Sequence, residues 1–489
     1  MCTEARSVAR LRVLLVVASV MLTGAATAGG DVLMVKAARE RDAKAVTALL
    51  KQHVDVNAPQ PDGATALHWA AHWDDLAIAD QLIRAGANVH AANDLGITPL
   101  FVASTDASPA MIDLLLKAGA NPNTASPAGE TALMATARTA KLDGAKALLA
   151  RGADVNTKES FRGQTALMWA AAEQQLEMVR MLLDHGADVD ARSAAGHTAL
   201  LIATRTGDIP IASLLLDRGA DVNAAAANGT TPLLVATVRG QVPLALFLLN
   251  RGANPNADGA GYAPLHWAAS KWQSTMTPFF QSAPLAGELF WLPQSGRVEL
   301  IKALLAHGAD PNATLTRDPP RYGTSIMAKK YLPGGTPFYL AALTGDTDIM
   351  RLLLANGADP LRTSKNQTTP LMAAAGIQYL KAENIETERD HLEAVMLTLA
   401  LGGDVNAVNG DGDTALHGIA FNGLDSIAQL VLDRGAKVNV KNNDGVTPLR
   451  VAEGSEFVMM IYVNDSTAAL LRKAGGISEP QGKLILRGR

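Results

Sequence analysis

The stretch HWAAHWDD sets His68 and His72 four residues apart, one helical turn, a spacing that can hold a metal ion. A closed site needs more than two ligands, and no third stands at motif spacing, so no metal is expected. His68 also fills a slot that recurs at His266 and His417, which points to a structural duty. NGDGDT, from Asn409, carries oxygen side chains as a calcium loop does. They miss the alternating positions and no glutamate closes the loop, so a hairpin tip explains it better. The acids of ENIETERD (Glu383, Glu386, Glu388, Asp390) suit a solvated helix start, where carboxylates complement the positive end of the dipole. There is no HExxH, no G-x-S-x-G, no Walker loop and no G-x-G-x-x-G after a strand. No cofactor is expected, and catalysis survives only as residues scattered along the chain.

The side chains left over are suited to recognition. Aromatics are 4% of the chain, yet more than half of them lie between Tyr262 and Tyr339. Phe279, Phe280, Phe290 and Trp291 crowd into TMTPFFQSAPLAGELFWLPQSG, where Pro278, Pro284 and Pro293 oppose a long helix or strand. Two readings stand for this stretch. It folds back over its own chain as a small core, or it offers aromatic anchors to a partner.

The elements that must position these groups are repeats. DGATALHWAA at Asp62 returns as LGITPLFVAS, AGETALMATA, RGQTALMWAA, AGHTALLIAT and NGTTPLLVAT, each followed by a Leu-rich segment ending in Gly-Ala. The threonines Thr65, Thr98, Thr131, Thr165, Thr198 and Thr231 are spaced 33, 33, 34, 33 and 33. Thr-[Pro/Ala]-Leu opens a helix with an N-cap, and Pro is tolerated at the first helical position. Small pairs such as Ala70-Ala71 and Ala170-Ala171 let helices approach closely. Segments such as VRMLLDHG keep helical spacing and stop at a Gly able to take the left-handed cap. One such pair cannot bury its apolar face, so stacking supplies the core.

This pattern resembles the ankyrin repeat, in about twelve units from Val32 to Gly475. The resemblance implies an all-α solenoid of stacked helix-turn-helix repeats joined by hairpin loops. In the family, the histidine of the His68 slot ties loop to helix by hydrogen bonds. Family members bind partners with the hairpin tips and the two residues after the Ala pair of the first helix. Carried over, that slot holds His72, Trp73, Arg138, Arg205, Arg239, Lys271 and Phe421, the cations forming a basic stripe on an acidic protein. Cations at a helix C-terminus also favour its dipole, and that reading stands beside the functional one. Trp69, Trp169 and Trp267 follow the His slot and are read as framework packing.

The regular units occupy 29–262. Units with insertions occupy 263–476, the added residues falling between Ala263 and Gly308, Gly308 and Thr336, and Thr369 and Gly402. The first unit and the enlarged last one are read as caps, and the tail 477–489 is expected to fray.

The N-terminus reads as a signal peptide over 1–28. Arg6, Arg10 and Arg12 precede the apolar run Val13 to Leu22, and Ala26-Thr27-Ala28 fits cleavage before Gly29. The one cysteine, Cys2, lies inside it, so the mature chain has no disulfide to lean on. No later segment is long and apolar enough to span a bilayer. A net charge of −4 argues against nucleic acid as a partner. The sequence therefore predicts a non-catalytic, exported, bacterial, monomeric protein, periplasmic or secreted. Its partner is a protein with an acidic segment, held by the concave groove and the insertions. The rival is a carbohydrate or cell-wall polymer stacked on the exposed aromatics.

Overall fold

A computed structural model describes residues 32–106, 108–270, 294–317, 332–377, 387–457 and 460–478. Two compact units divide the chain, Met1–Asp221 and Val222–Arg489. The first contains α1 (Leu33–Arg39), α2 (Ala43–Lys51), α3 (Ala66–His72), α4 (Leu76–Arg84), α5 (Pro99–Asp106) and α6 (Pro109–Lys117). It continues through α7 (Ala132–Thr139), α8 (Leu142–Ala150), α9 (Ala166–Ala172), α10 (Leu176–Asp184), α11 (Ala199–Thr206) and α12 (Ile209–Asp217). The second contains α13 (Pro232–Val238), α14 (Val242–Asn250), α15 (Pro264–Ala269), α16 (Gln294–Ala306), α17 (Pro337–Leu343) and α18 (Thr347–Leu354). There follow α19 (Pro370–Ala374), α20 (Glu388–Ala400), α21 (Ala415–Asn422), α22 (Asp425–Asp433) and α23 (Pro448–Ala452). After α23 come β1 (Ser455–Phe457), β2 (Met460–Tyr462) and α24 (Asp465–Lys473).

Odd-numbered helices are the first of each pair, and within each unit they pack on one another in chain order. Threonine starts most of them. The hydroxyls of Thr131, Thr165, Thr198 and Thr231 accept from the backbone N–H three residues on, at 3.3–3.4 Å. Aspartate often starts the second helix, as where Asp75 accepts from the Ile78 N–H at 3.0 Å. Each such cap contributes about 1 kcal/mol. The Ala70-Ala71 pair is wholly buried, which is how the first helices come so close. In α10 the positions at helical spacing, Met178, Val179 and Leu182, are buried while Glu177 and Arg180 face solvent. Gly186 then ends the helix pair at φ 85°, a conformation a Cβ would strain.

A second device joins neighbours. Four residues after the turning glycine, Asn123 donates its amide to the Gly152 carbonyl at 2.9 Å and accepts from the Asp154 N–H at 2.7 Å. The same double bond runs from Asn156 to Gly186 and Asp188, and from Asn406 to Gly435 and Lys437. It also spans the interrupted repeats, from Asn256 to Gly308 and Asp310 and from Asn312 to Gly357 and Asp359. Position 90 holds histidine and position 361 leucine, and among the described residues neither side chain makes this bond.

Three insertions, most of whose residues lie outside the described ones, interrupt the later repeats. The first lies between α15 and α16, the second after Arg317, the third between α19 and α20. In the last repeat the architecture is not purely helical. β1 and β2 form an antiparallel hairpin, Ser455 opposite Tyr462, between α23 and α24. The run SEFVMMIYV is rich in β-branched and aromatic residues, which favour an extended chain there.

Candidate functional site

Unit 1 brings several side chains to the C-terminal ends of its first helices. His72 and Trp73 close α3, with their rings tilted at 4.7 Å between centroids. Trp69, one turn earlier and 5% exposed, stacks with Trp73 at 6.4 Å and 25°. Trp73 itself is 42% exposed, a large apolar ring left to solvent. His72 Nδ1 meets Asp106 Oδ2, at the end of α5, at 3.1 Å. A carboxylate only accepts, so the Nδ1 atom carries the proton, and this bond fixes the imidazole that supports Trp73. On the other side the Arg39 guanidinium, from the end of α1, lies 5.9 Å from the Trp69 ring. Trp69 Nε1 donates to Gln60 Oε1 at 3.1 Å, which holds the indole in register. The cluster is therefore a rigid aromatic step with a cation at one end and a carboxylate at the other.

The arginines of the slot take different positions. Arg138 ends α7 and its guanidinium lies 5.2 Å from the ring of Trp169 in the next repeat. That contact seats the charge on a half-buried indole, worth about 0.5–1 kcal/mol at such a site. Arg205 is exposed at the end of α11. Together with partial burial, its charge lowers the pKa of His197, burial being the larger cause. Arg239 is half-buried and belongs to unit 2, as does half-buried Phe421, whose carbonyl accepts from Asn464 at 3.0 Å. Lys271, Phe279, Phe280, Phe290 and Trp291 lie outside the described residues. Of the aromatic-rich region, Tyr262, Trp267, Phe338 and Tyr339 are buried core, and burial lifts the Tyr262 hydroxyl to about 12.

The histidine slot is structural in each case. His68 Nδ1 accepts from the Thr65 N–H at 3.0 Å, and its Nε2 donates to the Ile97 carbonyl at 2.9 Å in the following hairpin. His417 repeats this with Thr414 and Val446. His266 does so with Ala263 and Ala313, although Ala263 lacks the hydroxyl that Thr65 and Thr414 add. With both nitrogens committed, His68 has no lone pair left for a metal beside His72. Burial is the largest influence on all three rings and lowers their pKa values, His266 to about 4. NGDGDT is a hairpin tip: Asn409 Oδ1 accepts from the N–H groups of Asp411 and Asp413. In ENIETERD, Thr387 is the N-cap and exchanges bonds with Asp390, while Glu388 accepts from the Ser426 N–H at 2.7 Å.

Sequence reasoning read Trp69 and Trp169 as packing alone. Their second role, as seats for Arg39 and Arg138 from the preceding repeat, follows from an arginine one residue after the Ala-Ala or Thr-Ala pair one repeat upstream. The part played by Asp106 had no comparable signal, because it depends on how His72 turns.

Comparison with known proteins adds the following. A family model described as ankyrin repeats matches residues 13–93, 33–126, 74–159, 133–226 and 289–388, and one described as ankyrin repeat matches 228–260 and 411–443. Ankyrin repeat and SOCS box protein 16 of Mus musculus is 35% identical over 118 residues, 24% of this chain and 25% of that protein. The nuclear factor NF-kappa-B p105 subunit of Gallus gallus is 32% identical over 181 residues, 37% of this chain and 15% of that one. Alpha-latrocrustotoxin-Lt1a of Latrodectus tredecimguttatus is 29% identical over 151 residues, 31% and 8%. The chain thus spans a quarter or less of the length of these curated relatives. The crystal structure of the ankyrin repeat domain of Bcl-3 matches with a TM-score of 0.39 at 28% identity, covering 42% of this chain and 93% of that one.

Proposed function

We propose a function from the premise that this chain belongs to the ankyrin-repeat family: it is a non-catalytic protein that binds a segment of a protein partner. Ankyrin repeats are protein-binding scaffolds, and what is specific to this chain is where the contact lies. The observation that carries the reading is Trp73, 42% exposed on a base of Trp69 and of His72, itself bound to Asp106. An aromatic held rigid before the partner arrives loses little entropy on binding, which is the character of an interface anchor. Arg39, Arg138 and Arg205, at the equivalent helix ends, favour a partner segment carrying acidic residues. The aromatics of 272–294 are a separate contact in this proposal. The apolar run Val13 to Leu22 and Ala26-Thr27-Ala28 support export of a bacterial precursor to the periplasm or medium, with the mature monomer beginning at Gly29. N-terminal sequencing of the protein recovered from producing cells tests that part, and an intact Met1 overturns it.

Photo-cross-linking tests the binding. A benzophenone side chain replaces Trp73 in the full chain, with His90 replaced in a control. Discrete protein adducts at 73, absent at 90 and weakened by added salt, are expected. Adducts to glycan, insensitive to salt, instead support the carbohydrate rival, and no adduct at 73 removes this surface from consideration.

A further inference from the structure

Thr131 and Thr165 are 34 residues apart where the repeat has 33, and the structure puts the extra residue at a hairpin tip. In neighbouring tips the turning glycine donates to the carbonyl three residues back, Gly96 to Asn93, Gly129 to Ser126 and Gly196 to Ser193. Gly163 donates to Glu159, four residues back, at 3.1 Å. The turn is wider by one residue, and Phe161 projects from it with 81% of its surface exposed.

A widened turn is ordinarily a loose one, and this one is not. Glu159 is 6% exposed, and its carboxylate accepts from the N–H groups of Phe161 at 2.6 Å, Arg162 at 2.7 Å and Gln164 at 2.9 Å. The tip is also tied on both sides. Ser160 donates to the Ala128 carbonyl of the preceding tip, and Ala194 of the following tip donates to the Arg162 carbonyl, each at 2.7 Å. Single exposed apolar residues are common and need no account. A phenylalanine on a tip where the N–H groups of Glu159, Ser160, Phe161, Arg162, Gly163 and Gln164 are all bonded is a shape the chain maintains.

Two basic side chains, Lys158 and Arg162, stand close to Phe161 in the sequence. The Arg162 guanidinium lies 5.8 Å from the Phe161 ring, and Lys158 is anchored by donation to the Arg192 carbonyl at 2.8 Å. Glu159 is the one acid from Lys158 to Gln164, and its charge faces inward onto the backbone. On a protein of net charge −4, this tip therefore offers an apolar ring beside the Arg162 cation, with Lys158 three residues before it in the chain.

We propose that the Glu159–Gly163 tip is a preformed docking point for an acidic protein segment that carries an apolar side chain, the ring taking the apolar group and Arg162 and Lys158 the carboxylates. It rests on the reading of the chain as a protein binder and adds a contact separate from Trp73. The test is fluorescence anisotropy of the full chain with three labelled peptides: one of glutamate and leucine, one of lysine and leucine, and polyglutamate. The glutamate–leucine peptide should bind best, and Phe161→Ser and Arg162→Ser should each weaken it about tenfold. Both side chains are exposed, so both variants should melt with the wild type. Equal binding by Phe161→Ser overturns the proposal. If binding is instead lost in Trp73→Ala, this docking point fails while the broader reading stands. If the wild-type chain binds none of the peptides, the docking point fails and cross-linking at position 73 still decides the broader reading. Binding of chitohexaose that Phe161→Ser abolishes overturns the assignment to a protein segment.

Discussion

Arg297 and Asp346 meet at 3.0 Å with 3% and 4% of their side chains exposed, a buried ion pair between residues 49 positions apart. Arg297 lies in the first turn of α16, where the chain returns from the longest insertion, and its Nε donates to the Ala268 carbonyl of α15 at 3.1 Å. Asp346 caps α18, accepting from the Ile349 N–H at 3.3 Å. One guanidinium thus joins three helices at the foot of the insertion. Removing one partner leaves a buried charge uncompensated, so Arg297→Met should lower stability by about 3 kcal/mol. Asp346→Ser, which keeps a capping oxygen, should recover part of that loss in the double variant. Urea unfolding of the full chain reads both, and an unshifted transition for Arg297→Met contradicts the assignment.

Acid should unfold the repeats through their histidines. Burial lowers the folded pKa values of His68, His266 and His417 from an ordinary 6.5, His266 to about 4. Protonation also removes the acceptor on Nδ1 that takes the N–H of Thr65, Ala263 or Thr414. Each neutral ring contributes stability that is present above pH 6.5 and lost as the pH falls toward the folded value. For His266 the loss is about 3 kcal/mol in full. The urea midpoint should therefore fall between pH 6.5 and 4, and less steeply in His266→Asn. Equal slopes for the two proteins would count against this.

The asparagine bonds between repeats predict both a loss and a gain. Asn156→Ala removes a donor to Gly186 and an acceptor for Asp188, and should cost about 1–2 kcal/mol. Leu361→Asn places the missing group opposite Gly402, in a loop where leucine is 50% exposed, and should raise stability by about 1 kcal/mol. Differential scanning of the two variants against wild type decides it. The pairing account is wrong if both melt unchanged.

Glu159 should be worth more to its loop than to the fold. With Glu159→Ala, the N–H groups of Phe161, Arg162 and Gln164 lose their acceptor, and their hydrogen exchange should quicken at least tenfold, the equivalent of about 1.4 kcal/mol in opening. Exchange in α9 should not change. Uniform acceleration through α9 and α10 would mean that Glu159 holds the repeat rather than the tip.

Much of this was legible in the sequence. Thr65 and its successors fixed the helix starts, the Ala70-Ala71 pairs the stacking, and His68 its tie, because each follows from a residue and its near neighbours. The asparagines stood in view at the ends of AGANPN and RGADVN, but their partners lie about 30 residues on, in the next repeat. Phe161 had a signal, the single 34 among 33s, whose meaning needed the turn geometry. The hairpin of Ser455–Phe457 and Met460–Tyr462 lies in the enlarged last repeat, read only as a cap, and its one sequence signal is the local run of β-favouring residues. Arg297 and Asp346 could not be paired in advance, since their distance in sequence is set by the insertion itself.

The bonds from Asn256 and Asn312 have a further consequence. They close at 2.7 and 2.9 Å over separations of 52 and 45 residues, as Asn123 does at 2.9 Å over 29. Whatever enters between the anchoring points leaves the joint between neighbours unaltered. At these two joints frame and ornament are therefore separable: a loop can be lengthened there while the repeats on either side keep the bond that sets their register.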